Sequence, residues 1–481
     1  MIAAGRRVVV IGGGLAGIAA ALDCAQAGAQ VTVLEVRRRL GGAIYSFERD
    51  GLRIDNGQHV FMRCCVAYRA LLAHIGSDRT VSIQPYLRVP VLSPGAPPAL
   101  LRRRALPAPL HMAGALARYP HLTIPQRLGV ARAALGLARM DPRDDALDRV
   151  TFGEWLARHG QDRDALDTLW DMIVRPTLNL PAAEASLALG AFVFRNALLD
   201  RSDAGDMGFH RTALAETVGE PAERALRAAG VEVRFGWRAQ RLERTATGFE
   251  VHDGRDDGLS ADAAIVALPH QRAGALLAPL LPTVARNLDA LGSSPIVNLH
   301  VVYDRRVCEE PFAAGVRTPV QYLFDRTAAG GAPPDTQYLA VSLSAAEREM
   351  QMSVDALRER YLPALRELLP RAREASVESF FVTREHAATF RAAPGVGALR
   401  PSAQTDVPGL ALAGAWTDTG WPATLESAVL SGHAAARTAL RALGIERTSA
   451  GVIAPAQGGD PASAPTVSSR PADSAASGAP R

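Results

Sequence analysis

The strongest signal along the chain is an apolar run whose period changes. Arg7–Ile11 is short, β-branched and almost continuously apolar, as a strand buried on both faces must be. Leu15–Gln26 then carries apolar residues at helical spacing and stops at Gly28, and residues 31–34 read as a second buried strand. Strand, helix and strand in that order form a βαβ unit, so the sheet they enter is parallel. A second strand-rich region follows a helix-like stretch at 220–229, with strands expected at 231–235, 238–243, 248–252 and 263–267. Between the two regions, helical patterns at 128–139, 152–159 and 165–173 lie among proline- and arginine-rich stretches that break the alternation. They predict inserts that build a second domain. From residue 448 onward Ala, Ser, Pro and Gly replace the large apolar residues, and such a tail is expected to be disordered.

Composition narrows the class. With 481 residues, 48% of them hydrophobic, the chain can fill at least two cores, and two or three domains are expected. The formal charge is only +4 and all 53 basic residues are arginine, with no run long enough for a polyanion, so no nucleic-acid partner is expected. Cys24, Cys64, Cys65 and Cys308 offer neither a CxxC pair nor metal-ligand spacing, which predicts a reduced, cytoplasmic protein without a structural metal. Adjacent Cys64 and Cys65 read as small buried residues, because a bridge between neighbours is strained. No stretch reaches the roughly 20 uncharged residues of a membrane span, so the chain is expected to be soluble or attached to a membrane surface.

The first βαβ unit carries the candidate chemistry. Its turn reads Gly12-Gly13-Gly14-Leu15-Ala16-Gly17, a GxGxxG motif between strand and helix. Gly12 permits the tight turn, Gly14 lets the backbone approach a pyrophosphate at the helix N-terminus beside Ala16, and Gly17 allows close helix–strand packing. An acidic residue is needed about 20 residues on to hold ribose hydroxyls. Glu35 stands there, at the end of the second strand. The motif alone does not distinguish FAD from NAD. No second nucleotide motif and no paired-cysteine relay follow, since Gly395-Val396-Gly397 lacks a preceding strand and a following helix, so electrons are expected from an external donor.

Beyond this point the chain resembles a known group. Arg37 and Leu40-Gly41-Gly42 extend the motif in the manner of FAD enzymes of the glutathione-reductase and amine-oxidase type. The run from Leu410 to Val429, with Gly414-Ala415 and Pro422-Ala423-Thr424, is similar to the flavin-closing segment of the amine-oxidase and phytoene-desaturase superfamily. Asp55-Asn56-Gly57-Gln58-His59, Trp155-Leu156, Trp170 with Leu178-Asn179, Ser294-Pro295-Ile296-Val297-Asn298 with His300, Ala388-Thr389-Phe390 and the TGxPAT run Thr419 to Thr424 resemble the hydroxysqualene dehydroxylase family more narrowly. The resemblance implies an α/β fold: an FAD-binding GxGxxG Rossmann-like domain with an inserted α+β substrate domain. It divides the chain into FAD-binding segments at 1–80, 205–290 and 395–447, substrate segments at 81–204 and 291–394, and the tail at 448–481. It also implies flavin contacts from Gly57, Gln58 and Ala239. Two positions depart from the pattern: Ala43 stands where the group carries arginine, and Ala415 where it carries aspartate.

The implied substrate is a lipophilic isoprenoid, an allylic alcohol that loses its hydroxyl as water and takes a hydride from reduced flavin. Such a step calls for an acid and an apolar tunnel. Asp55 and His59 are the first candidates for the acid, although Asp55 could instead cap a turn and His59 bond only backbone or flavin; Asp418 and Glu426 are weaker ones. A carotenoid-type desaturase, running the flavin oxidatively, and a prenyl-binding protein without redox chemistry remain alternatives. An amine oxidase of the usual kind needs a lysine beside the flavin, and the chain has none. Finally, Arg102, Arg103 and Arg104 among leucines suggest a membrane-surface face, with a solvated arginine cluster as the other reading.

Overall fold

The buried β-branched runs assemble into one parallel sheet. In the computed structural model, which describes residues 5–255 and 257–445, β1 (Arg7–Ile11), β2 (Gln30–Glu35), β3 (Glu232–Phe235), β4 (Ala263–Val266) and β5 (Leu410–Leu412) run parallel in the order β3-β2-β1-β4-β5. Helix α1 (Leu15–Gln26) returns the chain from β1 to β2, and α2 (Leu425–Ala442) follows β5. Because side chains alternate along a strand, β1 feeds two cores. Val8 and Val10 pack with Ile18, Leu22, Val31 and Ala435, while Val9 and Ile11 join the larger core that includes Leu242, Phe249 and Leu410. The two helices cross closely: a Cβ on Gly432 of α2 would lie 2.3 Å from the Ala16 carbonyl oxygen.

Two of the expected strands lie outside the parallel sheet. The runs at 238–243 and 248–252 form Arg241–Arg244 and Phe249–His252, which pair with each other and, through the latter, with Gly258–Ala261 in a separate antiparallel sheet. Only Leu242 of the first strand is buried, and antiparallel pairing tolerates such one-sided exposure. The helical patterns appear as Ile124–Ala138, Phe152–Arg158 and, for 165–173, a chain of pieces running from Arg163–Ala165 through a wider π-turn at Leu166–Trp170 to Asp171–Leu178. A seven-stranded mixed sheet, in the order Val377–Thr389, Ser294–Tyr303, Gln337–Ser344, Tyr322–Asp325, Phe312–Gly315, Arg88–Leu92, Ala99–Arg102, is the second large layer. The described residues lie within a single compact unit, Met1–Thr448. The tail expected to be disordered lies outside the described residues.

The arginine cluster at 102–104 divides. Arg102 and Arg104 are exposed, but Arg103 is buried and donates from Nε and Nη2 to the Asp206 carboxylate at 2.5 and 2.7 Å. Asp206 is itself fully buried and also receives Arg63 and the Leu87 amide. Arg103 is thus a core cation and does not face a membrane. Its neighbours in sequence alternate outward, as strand geometry requires at Ala99–Arg102.

Candidate active site

The C-terminal ends of β1 and β2 carry the glycine loop. Gly12 adopts φ +112°, and a Cβ there would sit 2.5 Å from the Ala267 carbonyl oxygen. Gly17 faces the Gly12 carbonyl oxygen so closely that a Cβ would lie at 1.9 Å. Gly14 differs: it caps α1 with ordinary φ −78°, offers no side-chain cap, and a Cβ would meet nothing nearer than Gly42 Cα at 3.8 Å. Space therefore lies over a helix N-terminus whose first-turn N–H groups lack a side-chain acceptor. Glu35 is buried at the rim; Oε2 accepts from the Gly13 amide at 2.8 Å and Oε1 from the Arg37 amide at 2.7 Å. Each oxygen retains a lone pair for a ribose hydroxyl. Gly41 and Gly42, at φ +102° and +59°, lace onto this loop through the Gly41 amide and Gly13 carbonyl at 2.9 Å. Arg37 is exposed, Ala43 is exposed beyond the pair, and Arg39 stacks on Tyr45 at 3.7 Å while donating to the Gly42 carbonyl. The loop thus keeps a half-buried cation although position 43 has none. Ala239 lies in the turn after β3, where the Trp237 amide donates to the Glu35 carbonyl at 3.1 Å.

The second wall is the loop 55–59. Asp55 is almost wholly buried and fully engaged: Oδ1 accepts from Ser46 Oγ at 2.7 Å and the Leu214 amide at 2.9 Å, and Oδ2 from Arg326 Nη2 at 2.7 Å. Arg326, Ser46 and the Leu214 amide together hold this carboxylate in one orientation. Its work is to fix the loop. Asn56 extends that work; it donates to the Ala43 carbonyl and to Glu385, both at 2.9 Å, and its carbonyl receives Asn298 and Thr383. Gly57 is buried, Gln58 has a buried Nε2 with no protein acceptor, and the half-buried His59 makes no side-chain hydrogen bond among the described residues. Burial pulls the His59 pKa down to about 4 against the opposing field of Asp55, so the ring is neutral near pH 7.

The third wall follows β5. Gly414 needs φ +145°, and its amide donates to Ser431 Oγ at 2.8 Å. Ala415 presents its carbonyl to Ser427 Oγ at 3.2 Å, buried Pro422 and half-buried Ala423 lead into the helix, and Thr424 caps α2 by accepting from the Ser427 amide at 3.1 Å. One residue that sequence reasoning missed organises this loop. Arg400 is buried, donates to the carbonyls of Thr417 and Trp421 at 2.6 and 2.7 Å and reaches those of Trp416 and Ala415 at 3.4 Å. Burial lowers its pKa to about 10, which leaves it charged. The Glu426 carboxylate accepts the Ala67 and Tyr68 amides at the start of the helix Val66–His74, and burial raises its pKa. Asp418 is exposed and accepts the Gly420 amide.

A family model described as flavin containing amine oxidoreductase matches residues 15–440. The chain belongs to that family. Among members, the hydroxysqualene dehydroxylase of Rhodopseudomonas palustris is 30% identical over 452 residues, 91% of this chain and 99% of the relative. The hydroxysqualene dehydroxylase of Sinorhizobium fredii is 29% identical over 461 residues, covering 90% and 98%. Cyclohexylamine oxidase from Brevibacterium oxydans shares the fold, with a TM-score of 0.71 at 20% identity over 91% of this chain and 99% of that one. This flavin oxidoreductase is therefore an FAD enzyme with the α/β fold of its family. The geometry fits that cofactor: an uncapped helix N-terminus under an open Gly14, a buried ribose-rim carboxylate, and the orphaned Gln58 Nε2.

Proposed function

We propose that the protein reduces hydroxysqualene, or a close isoprenoid allylic alcohol, to the hydrocarbon, releasing water. The observation that supports the reading is the match with two hydroxysqualene dehydroxylases, over 90 and 91% of this chain and 98 and 99% of the relatives. In balanced form the alcohol and two electrons with two protons give the alkene and water, and an external donor returns the electrons. FAD supplies that two-electron chemistry as a hydride when reduced. The α1 N-terminus, Glu35, Gly41 and Gly42 would hold its diphosphate and ribose, and Gln58, Gly414, Ala415 and the 422–424 run would lie along the remainder. Arg37 and Ala239 are proposed at the outer rim.

His59 is the titratable side chain left toward the substrate once Asp55 is committed to Arg326. As a neutral imidazole it donates a hydrogen bond from Nε2 or Nδ1 to the departing hydroxyl, and the proton that completes the water comes from solvent. An apolar pair borders the flavin-closing loop: Phe192 of the helix Leu187–Phe194 meets Trp421 of the 415–424 loop edge to face, with centroids 5.0 Å apart. Excluding water there protects a cationic substrate from recapture. A lipid substrate also suits an enzyme working on a membrane surface on the cytoplasmic side, and no helix among the described residues is long and apolar enough to cross a membrane.

Anaerobic incubation with hydroxysqualene and reduced FAD, followed by product analysis, tests the reading, with a phytoene-like polyene and oxidised FAD as the opposing arm. Squalene from the first arm alone is the expected result. Dehydrogenated polyene from the second, with no squalene, would establish a desaturase instead.

A further inference from the structure

The helix Ile124–Ala138 is apolar on two opposite faces. Val130, Ala133 and Leu137 point into the core, and Gly136 lets the helix close on the Trp155 ring. The other side carries Ile124, Leu128 and Leu135, exposed by 69, 64 and 49%. At about 100° per residue these three fall within an arc of about 40°, and exposed Arg132 and Arg139 flank them within a further 40° or so. Neither arginine has an ion-pair partner among the described residues. A helix apolar all round is stable where both faces are covered, and here one face has only solvent.

Charge identifies the cover. Between Asp78 and Asp141 the sequence contains nine arginines and not one carboxylate. Arg88 and Arg103 are spent on Glu310 and Asp206, and Arg127 on backbone carbonyls, but Arg102, Arg104, Arg118, Arg132 and Arg139 are exposed. Leu106 and Leu110, exposed by 46 and 57%, precede the helix in the same acid-free stretch. Apolar side chains bordered by arginine, in a stretch of sequence without acids, fit an anionic bilayer surface, leucines in the acyl boundary and guanidiniums on lipid phosphates. A protein partner or second copy of this chain would have to bring its own carboxylates to a helix that carries none.

We infer that Ile124, Leu128 and Leu135, with Arg132 and Arg139, form the docking face for an anionic membrane. This moves the membrane contact from the 102–104 cluster, where Arg103 is a core residue, to the outer side of one helix. Membrane docking by this face needs no substrate, so the docking face and the proposed function can fail separately.

The test is sedimentation of the FAD-loaded full chain with vesicles of phosphatidylglycerol and phosphatidylcholine, against phosphatidylcholine alone. Wild type should pellet with the anionic vesicles. Leu128→Glu/Leu135→Glu should reduce the bound fraction at least about tenfold with melting temperature and flavin content unchanged, and Arg132→Glu/Arg139→Glu should abolish the preference for anionic lipid. Wild type remaining in the supernatant, or the leucine pair binding like wild type, would overturn the inference. So would light scattering that finds a wild-type dimer converted to monomer by the leucine pair, since a second copy would then cover the face.

Discussion

Gly14 and Gly17 separate what the cofactor needs from what the fold needs. A methyl at Gly17 collides with the Gly12 carbonyl oxygen at 1.9 Å, whereas one at Gly14 finds open space. Gly17→Ala should therefore cost about 3 kcal/mol or more of apoprotein stability by overpacking. Gly14→Ala should cost less than about 1 kcal/mol and still weaken FAD binding, because the methyl occupies the diphosphate's place. Urea melts of the apoproteins and flavin fluorescence titrations measure the two effects independently. Asp55 makes a similar distinction. Asp55→Asn leaves Arg326 buried without a counter-charge and should lower stability by about 3 kcal/mol, seen in the same melts. An Asp55→Asn protein of unchanged stability but lost turnover would instead support an acid role for Asp55.

At the level of elements, the first βαβ unit was legible because its signals are local: buried β-branched runs, a glycine spacing and an acid one strand later. The glycines and Glu35 stand where that spacing puts them. The rest of the site is made by contacts that no window of sequence contains. Asn298 reaches the Asn56 carbonyl across 242 positions, Thr383 across 327, and Arg326 reaches Asp55 across 271. The strand Val377–Thr389 gives little warning of itself, since its half-buried pattern lacks clean alternation. Arg400 was hidden for another reason: it pairs with carbonyls, so no acidic residue at a telling distance marks it. Replacing it with leucine orphans buried carbonyls of the flavin-closing loop, at about 1–3 kcal/mol for each group left unsatisfied. Arg400→Leu should lower the melting temperature and raise the FAD dissociation constant about tenfold or more, with partial recovery in Arg400→Lys.

For the whole molecule, buried histidines tie stability to pH. Burial lowers the pKa of His59 to about 4 and those of His210 and His300 to about 3, and positive neighbours add to the last two. The unfolded chain accepts these protons near pH 6.5, about two units or more before the folded chain does. Stability should be full above that pH and fall as acid is added through the window, by up to about 1.4 kcal/mol per histidine per pH unit. Denaturant unfolding at pH about 7.5 and about 5 measures the slope. The same protonation states bear on the reaction, because a neutral His59 predicts no histidine-linked loss of kcat/KM between about pH 6 and 8. Direction of electron flow separates a dehydroxylase from a desaturase. Photoreduced enzyme mixed with hydroxysqualene, without oxygen, in a single turnover reads it out. Oxidised flavin absorbance should return as squalene appears, one equivalent for one. Flavin that stays reduced, or that reoxidises without squalene, would contradict a dehydroxylase.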